Sequence, residues 1–387
     1  MKMNISKLLL GCTAACAMLL VSCDDAKYDV LENQAYIAQT NTNGNTAKKI
    51  TVGTDAVSTE LNVSMSSPAT KDHTFSISVD EAALAQYNKL NSTTYEVLPA
   101  DQYTLSDNKA TVSEGNASSS PVNLTVKPFS AELKASGKKY AIPLKITSND
   151  GTDVLASGGS IIYVLDQVIY QAVPTLNSSN YAKMQLRQSY DLKEWTVEMN
   201  INMSVLMTAV GQGNNQAIFA ASGNDGHDGE IYIRFGDAPI EGNRLQIKTQ
   251  GSQMNSNMLF NQNTWYHLAF VCTGTKLYLY VNGVLDNSMD LGGKIVGVDN
   301  MSIASSGSYF LADAMYSELR FWTKARSQAE ISNNMYVLDP HSDGLEAYWK
   351  MDEGKGDEFT DATGHGNICK TTNGEPTWTP NVRIAGK

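Results

Sequence analysis

Trp265-Tyr266-His267-Leu268-Ala269-Phe270-Val271-Cys272 is followed, after a short turn, by Lys276-Leu277-Tyr278-Leu279-Tyr280-Val281-Asn282-Gly283. These two stretches decide the architecture of the second half of the chain. Successive side chains of a strand point to opposite faces. Leu277, Leu279 and Val281 therefore share one side of their strand, and Tyr278 and Tyr280 the other. Asn282-Gly283 is the dipeptide that best accepts the two positive φ angles of a tight hairpin. Trp195-Thr196-Val197-Glu198-Met199-Asn200-Ile201 reads as a further alternating strand. Ser327-Gln328-Ala329-Glu330 has the spacing of a capping box and predicts a short helix through about Met335.

Toward the N-terminus the same two-residue period recurs. It runs through Leu61, Val63 and Met65, through Phe75, Ile77 and Val79, through Val122, Leu124 and Val126, and through Tyr140, Ile142, Leu144 and Ile146. Strands with one apolar and one polar face build antiparallel sheets. Spacers rich in Ser, Asn, Gly and Asp supply the turns. One helical interruption is predicted over 80–90, with Asp80 as its cap and Leu84 and Tyr87 on one face. Residues 166–177 read as the joint between the two halves.

The first 30 residues follow another logic. Lys2 and Lys7 precede Leu8–Val21, an uncharged apolar run. It is shorter than the about 20 residues a bilayer-spanning helix needs, so it reads as a secretory signal. It ends in Leu20-Val21-Ser22-Cys23, which resembles the lipobox of bacterial lipoproteins. That resemblance implies a signal peptide at 1–22, lipidation of Cys23 and a tether at 23–32. A triacyl chain holds a protein on a membrane without a spanning helix. Asp24, Asp25 and Asp29 are similar to the surface-export signals of Bacteroidetes lipoproteins, and equally suit a solvated tether. The expected location is an outer membrane, facing the exterior.

The chain has 387 residues, 42% of them hydrophobic and 18% charged, with a formal net charge of −11. That is too long for one small domain and apolar enough to fill real cores. The acidic balance argues against a nucleic-acid partner, which calls for a basic face. Loss of Lys2 and Lys7 with the signal makes the remainder more acidic still. Of five Cys, Cys12 and Cys16 leave with the signal. Cys272 and Cys369 remain beside Cys23, either as a disulfide or as two buried thiols.

Two family resemblances rest on ordered motifs. Tyr95-Glu96-Val97-Leu98-Pro99, Tyr103-Thr104-Leu105, Tyr140-Ala141-Ile142-Pro143-Leu144 and the late strand Ile161–Leu165 resemble a family of N-terminal domains of Bacteroidetes lipoproteins. Those domains occur beside glycoside hydrolases and lectin-like modules, which implies a sandwich spacer rather than a catalyst. The Trp265–His267 strand, the Leu279–Gly283 hairpin, Glu318–Trp322, Ala347–Glu353 and Asp361–Gly366 are similar to the laminin-G-like, concanavalin A-type jelly roll. That family implies two curved sheets whose loops or concave face bind sugars, proteins or calcium. The expected class is all-β: an immunoglobulin-like β-sandwich at 33–167, then a concanavalin A-like (LamG) jelly roll at 168–387.

Candidate chemistry is sparse. Trp195, Trp265, Trp322 and Trp349 sit inside strand motifs and are expected in the core. Trp378, between Pro376 and Pro380, is the least committed and is a candidate ligand contact. Tyr278 and Tyr280 either line a concave binding face or pack against a second layer. Arg234 and Asp237 either pair with each other or contact ligand. In Asn224–Glu230, Asp225 and Asp228 are candidate calcium ligands, although ordinary surface turns use the same residues. No other cofactor is read. The five His are scattered, and His267 is expected as a satisfied core residue. The E-x-D-x-E and E-x-D-x-x-E spacings of jelly-roll glucanases are absent, so no catalytic residue is assigned. A carboxylate pair from distant residues stays open. The expected function is a membrane-anchored surface lipoprotein that captures carbohydrate through its jelly roll. The alternatives are a glycoside hydrolase or its accessory subunit, and a surface adhesin or structural protein-binding component.

Overall fold

His73–Val79, Val122–Val126 and Tyr140–Ser148 send Phe75, Leu124 and Ile142 into one apolar interior, because each strand alternates. A computed structural model describes residues 33–40, 46–223 and 231–385. In it the principal sheet of the first sandwich runs Ala47–Val52, Ser160–Gln167, Tyr140–Ser148, His73–Val79, Lys109–Val112. The short Glu96–Val97 lies parallel to Tyr140–Ser148 on the same sheet. Val57–Leu61, Val122–Val126 and Tyr103–Leu105 form the facing sheet, and Ala35–Ile37 pairs with Val63–Met65. The helix Glu81–Asn91 starts where Asp80 accepts from the Ala83 N–H at 3.2 Å. Its Leu84 packs with Ala141, Ile162 and Val164. The two central strands are thus buried on both faces, which alternation alone does not convey.

Val168 is the single residue between the last strand of this sandwich and Ile169–Leu176, the first strand of the next. The stretch 166–177 is therefore mostly strand on either side of one residue. The second domain packs two sheets face to face, each of eight strands among the described residues. One runs Val284–Asp290, Lys276–Val281, Trp265–Cys272, Trp195–Met203, Ala314–Trp322, Ile169–Leu176, Thr377–Ala385, with Leu345–Trp349 alongside Ala314–Trp322. The other runs Ser252–Leu259, Arg244–Thr249, Ile231–Phe235, Gln216–Ser222, Val296–Ile303, Ala182–Leu192, Ile368–Thr371, Glu358–Phe359. Trp195, Phe219, Phe270, Phe321 and Trp349 fill the space between them. Asn282 and Gly283 take φ of 51° and 77°, as the hairpin requires. The helix Gln328–Asn333 has both halves of its capping box in place.

The two domains touch. Asn333 Nδ2 donates to the carbonyls of Asn91 and Ser92 at 3.3 and 3.2 Å. Gly137, with φ of 65°, lies so close to Leu338 that a Cβ would fall 2.2 Å from its carbonyl oxygen.

Candidate functional site

The sheet containing Trp195–Met203 turns its outer face toward the first sandwich. Val197, Met199 and Ile201 point into the core, so Thr196, Glu198 and Asn200 point out. Cross-strand register sets Asn200 beside His267 and Ser317, and Glu198 beside Ala269 and Arg320. Part of this face is sealed. Ile331 of the capped helix clusters with Ala269, Val271 and Tyr280, while Leu338 and Leu345 cluster with Trp322 and Tyr348.

Charges taken out of water need partners, and here they have them. Arg326 Nη1 donates to Glu198 Oε1 at 2.6 Å, and Arg320 Nη1 lies 3.5 Å from Glu198 Oε2. Arg320 also pairs with Glu318 and donates to the Asn334 carbonyl at 2.7 Å. The Tyr348 hydroxyl donates to Glu318 at 2.5 Å. Both guanidinium groups lie over aromatic rings, Arg326 at 4.1 Å from the Trp322 centroid and Arg320 at 4.9 Å from that of Tyr348. Burial alone favours a neutral Glu198, but Arg326, His267 and Arg320 outweigh it and hold the carboxyl well below its usual range. Burial pushes His267 down, and its Nε2 lies 3.3 Å from Glu198. Glu198 and Glu318 are both buried and committed to arginines.

Beyond the sealed patch lies a cleft of about 840 Å³ between the two sandwiches. Trp265 and Asn282 form one wall, Met335 and Tyr336 a second, and Tyr95 and Lys139 a third. The parallel pairing of Glu96 with Tyr140, and the bond from the Glu96 N–H to the Lys139 carbonyl at 2.8 Å, bring Tyr95 and Lys139 together. Tyr95, Trp265 and Tyr336 are partly exposed. Burial pushes the Tyr95 phenol up to about 12, so it stays a donor at neutral pH. The volume and the mixture of aromatic and polar groups are those of a ligand pocket.

The residues expected from sequence fall elsewhere. Tyr278 and Tyr280 stack at 6.1 Å and pack with Ile331 and Ala325, under the helical cover rather than on an open concave face. Arg234 pairs with Asp237 and donates to Gln246 at 2.7 Å and to Asn215 at 3.2 Å, which uses up its guanidinium. Trp378 is half-buried against the jelly-roll core, with Nε1 on the Gly356 carbonyl at 3.3 Å. Cys272 and Cys369 are both free and buried. Cys23, Asp225 and Asp228 lie outside the described residues. Among the described residues no group of three or more His, Cys, Asp or Glu is placed to hold a metal ion, and no helix is long and apolar enough to cross a membrane. Trp195 and Trp349 are core residues as expected, and Trp322 is buried on the outer face. Trp265 corrects the expectation. It sits at the start of its strand, on the outward face with His267, and borders the cleft.

Residues 176–332 match the family model of the concanavalin A-like lectin/glucanases superfamily, of the laminin G type. Residues 31–153 match the model of a family of N-terminal domains. The chain therefore joins a domain of that N-terminal class to a concanavalin A-like jelly roll. A candidate carbohydrate-binding protein from Bacteroides ovatus shares the fold, with 23% identity over 90% of this chain and 97% of its own, at a TM-score of 0.60. EndoBT-3987 of Bacteroides thetaiotamicron, solved with a Man5GlcNAc product, is 20% identical over 34% of this chain and 30% of its own, with a TM-score of 0.29. A heptameric SAP-like pentraxin from Limulus polyphemus is 16% identical over 51% of this chain and 94% of its own, with a TM-score of 0.34. No curated protein matches the chain.

Sequence reasoning missed Lys139, Tyr95 and Tyr336 as neighbours. The signal for the sealed patch was present, since Glu198, Glu318 and Arg320 interrupt otherwise apolar strands. No local pattern reports which residues of two separate domains share a cleft.

Proposed function

We propose that this protein is a membrane-anchored surface lipoprotein that binds carbohydrate, and that the glycan lies in the cleft between its two sandwiches. One observation carries the reading: three partly exposed aromatic rings, Tyr95, Trp265 and Tyr336, converge on a polar cavity. Sugar rings stack their C–H faces on aromatic planes, while amide and hydroxyl groups such as Asn282 and Ser332 take the ring hydroxyls. The lectin-type fold of the second domain and the name of the Bacteroides ovatus neighbour support it. The anchor is lipid on Cys23, which would hold the protein on the outer membrane facing outward.

A glycan array probed with the full chain tests the binding. Capture of at least one glycan, lost in Trp265→Ala with the melting temperature unchanged, is the expected result. Capture that Trp265→Ala leaves intact would remove the cleft from the reading, and no capture at all would remove carbohydrate. Incorporation of a labelled fatty acid, abolished by Cys23→Ser, tests the anchor.

A further inference from the structure

We propose that the cleft takes a saccharide bearing an anionic group, carboxylate or sulfate, which docks on Lys139 while its ring lies among Trp265, Tyr95 and Tyr336. The inference rests on the cleft being the glycan site and adds the chemical class of the glycan.

The charge of the cleft opposes that of the chain. The sequence has 40 acidic residues against 29 basic ones. Yet Lys49, Lys138, Lys139 and Arg383 border the cleft, against Asp166 as the one bordering carboxylate among the described residues. Lys49 is answered by Asp166 at 2.7 Å and Lys138 by Glu96 at 2.8 Å. The Lys139 ammonium has no hydrogen-bonding or ionic partner among the described residues. Burial pushes it down to about 8; Arg320, Arg326 and Lys49 add to the shift, and Asp166 opposes it. The phenols of Tyr95 and Tyr336 are pushed up by burial and bring no negative charge. A partly desolvated cation without a partner is costly, and an entering anion supplies the missing partner. A neutral sugar does not.

Calorimetry on the full chain tests this with four probes: trigalacturonate, its methyl ester, a sulfated disaccharide and inorganic sulfate. The expected result is binding of an acidic saccharide at least about tenfold tighter than that of the ester, weakening with salt. At pH 8.5 it should take up protons, seen as heats that vary with the buffer. Lys139→Met should abolish both the preference and the uptake. Lys139→Arg should keep the preference without the uptake, and Arg234→Ala, on the other sheet, should change neither. Equal affinity for acid and ester, or an unchanged preference in Lys139→Met, would overturn the anionic class and leave the cleft as a neutral-glycan site. Inorganic sulfate binding as tightly as the saccharides would overturn the role of the sugar ring. If no saccharide binds, the glycan reading itself fails.

Discussion

The two outer faces of the jelly roll are built from the same alternating strands and are covered differently. On one sheet, Glu198, Arg320 and His267, with Arg326 from the segment before the helix, are cut off from water beneath a short helix and the segment that follows it. On the other, Tyr232, Arg234, Gln246 and Asn255 form a hydrogen-bonded row with no helix over it among the described residues, and Arg234 and Gln246 are themselves buried. Tyr232 donates to Asn215 at 2.7 Å, and Gln246 Nε2 to Asn255 at 3.0 Å. The difference teaches that a polar residue at an outward strand position is not thereby a wet one. Arg234 is buried and paired with no helix above it among the described residues, whereas Glu198 and Arg320 are buried beneath a helical cover.

The largest expected effect breaks the sealed face. Arg326→Met takes from Glu198 its nearest cation and hydrogen-bond donor and should cost about 3–5 kcal/mol in urea unfolding, with part recovered by adding Glu198→Gln. Arg234→Met, on the face without the cover, should cost about 1–2 kcal/mol in the same assay. Equal losses would erase the contrast between the faces.

The pH dependence sharpens it next. Glu198 is held below the ordinary glutamate value of 4.5 in the folded protein, so its contribution is present above that pH and is lost as pH falls through the lowered value. The acid limb of the stability profile should therefore be flatter in Glu198→Gln than in the wild type.

Lys139 works in the opposite sense. Its folded value of about 8 lies below the ordinary lysine value of 10.5, so its charge weakens the fold at neutral pH, and the penalty is relieved as pH rises between the two. Lys139→Met should raise the melting temperature at pH 7, with the gain shrinking from pH 8 toward 10.5. A gain constant across that range would locate the effect in packing instead.

The smallest effect concerns the cover itself. Ser327→Ala removes the cap of the helix Gln328–Asn333 and should cost about 1 kcal/mol by urea titration.

Much of the fold was legible because period-two patterning and turn chemistry are local. The Leu277–Leu279–Val281 face, the Asn282-Gly283 hairpin, the Asp80 cap and the Ser327 capping box need only neighbouring residues to be read. The site was far less legible. Tyr278 and Tyr280 have the look of a binding platform, and Trp265 that of a core residue. Their roles differ because helix Gln328–Asn333 covers the tyrosines while the cleft leaves Trp265 partly open.

By itself, then, the sequence determined the two all-β units, their caps and turns, and which residues of each strand share a face, since all of these follow from backbone geometry over a few residues. Only the tertiary structure decided which outer face was sealed, which charges became buried pairs, and that Lys139 of one domain stands across from Trp265 of the other. Those outcomes depend on how distant segments stack and exclude water, and solvent exclusion is a property of the assembled surfaces rather than of any one strand.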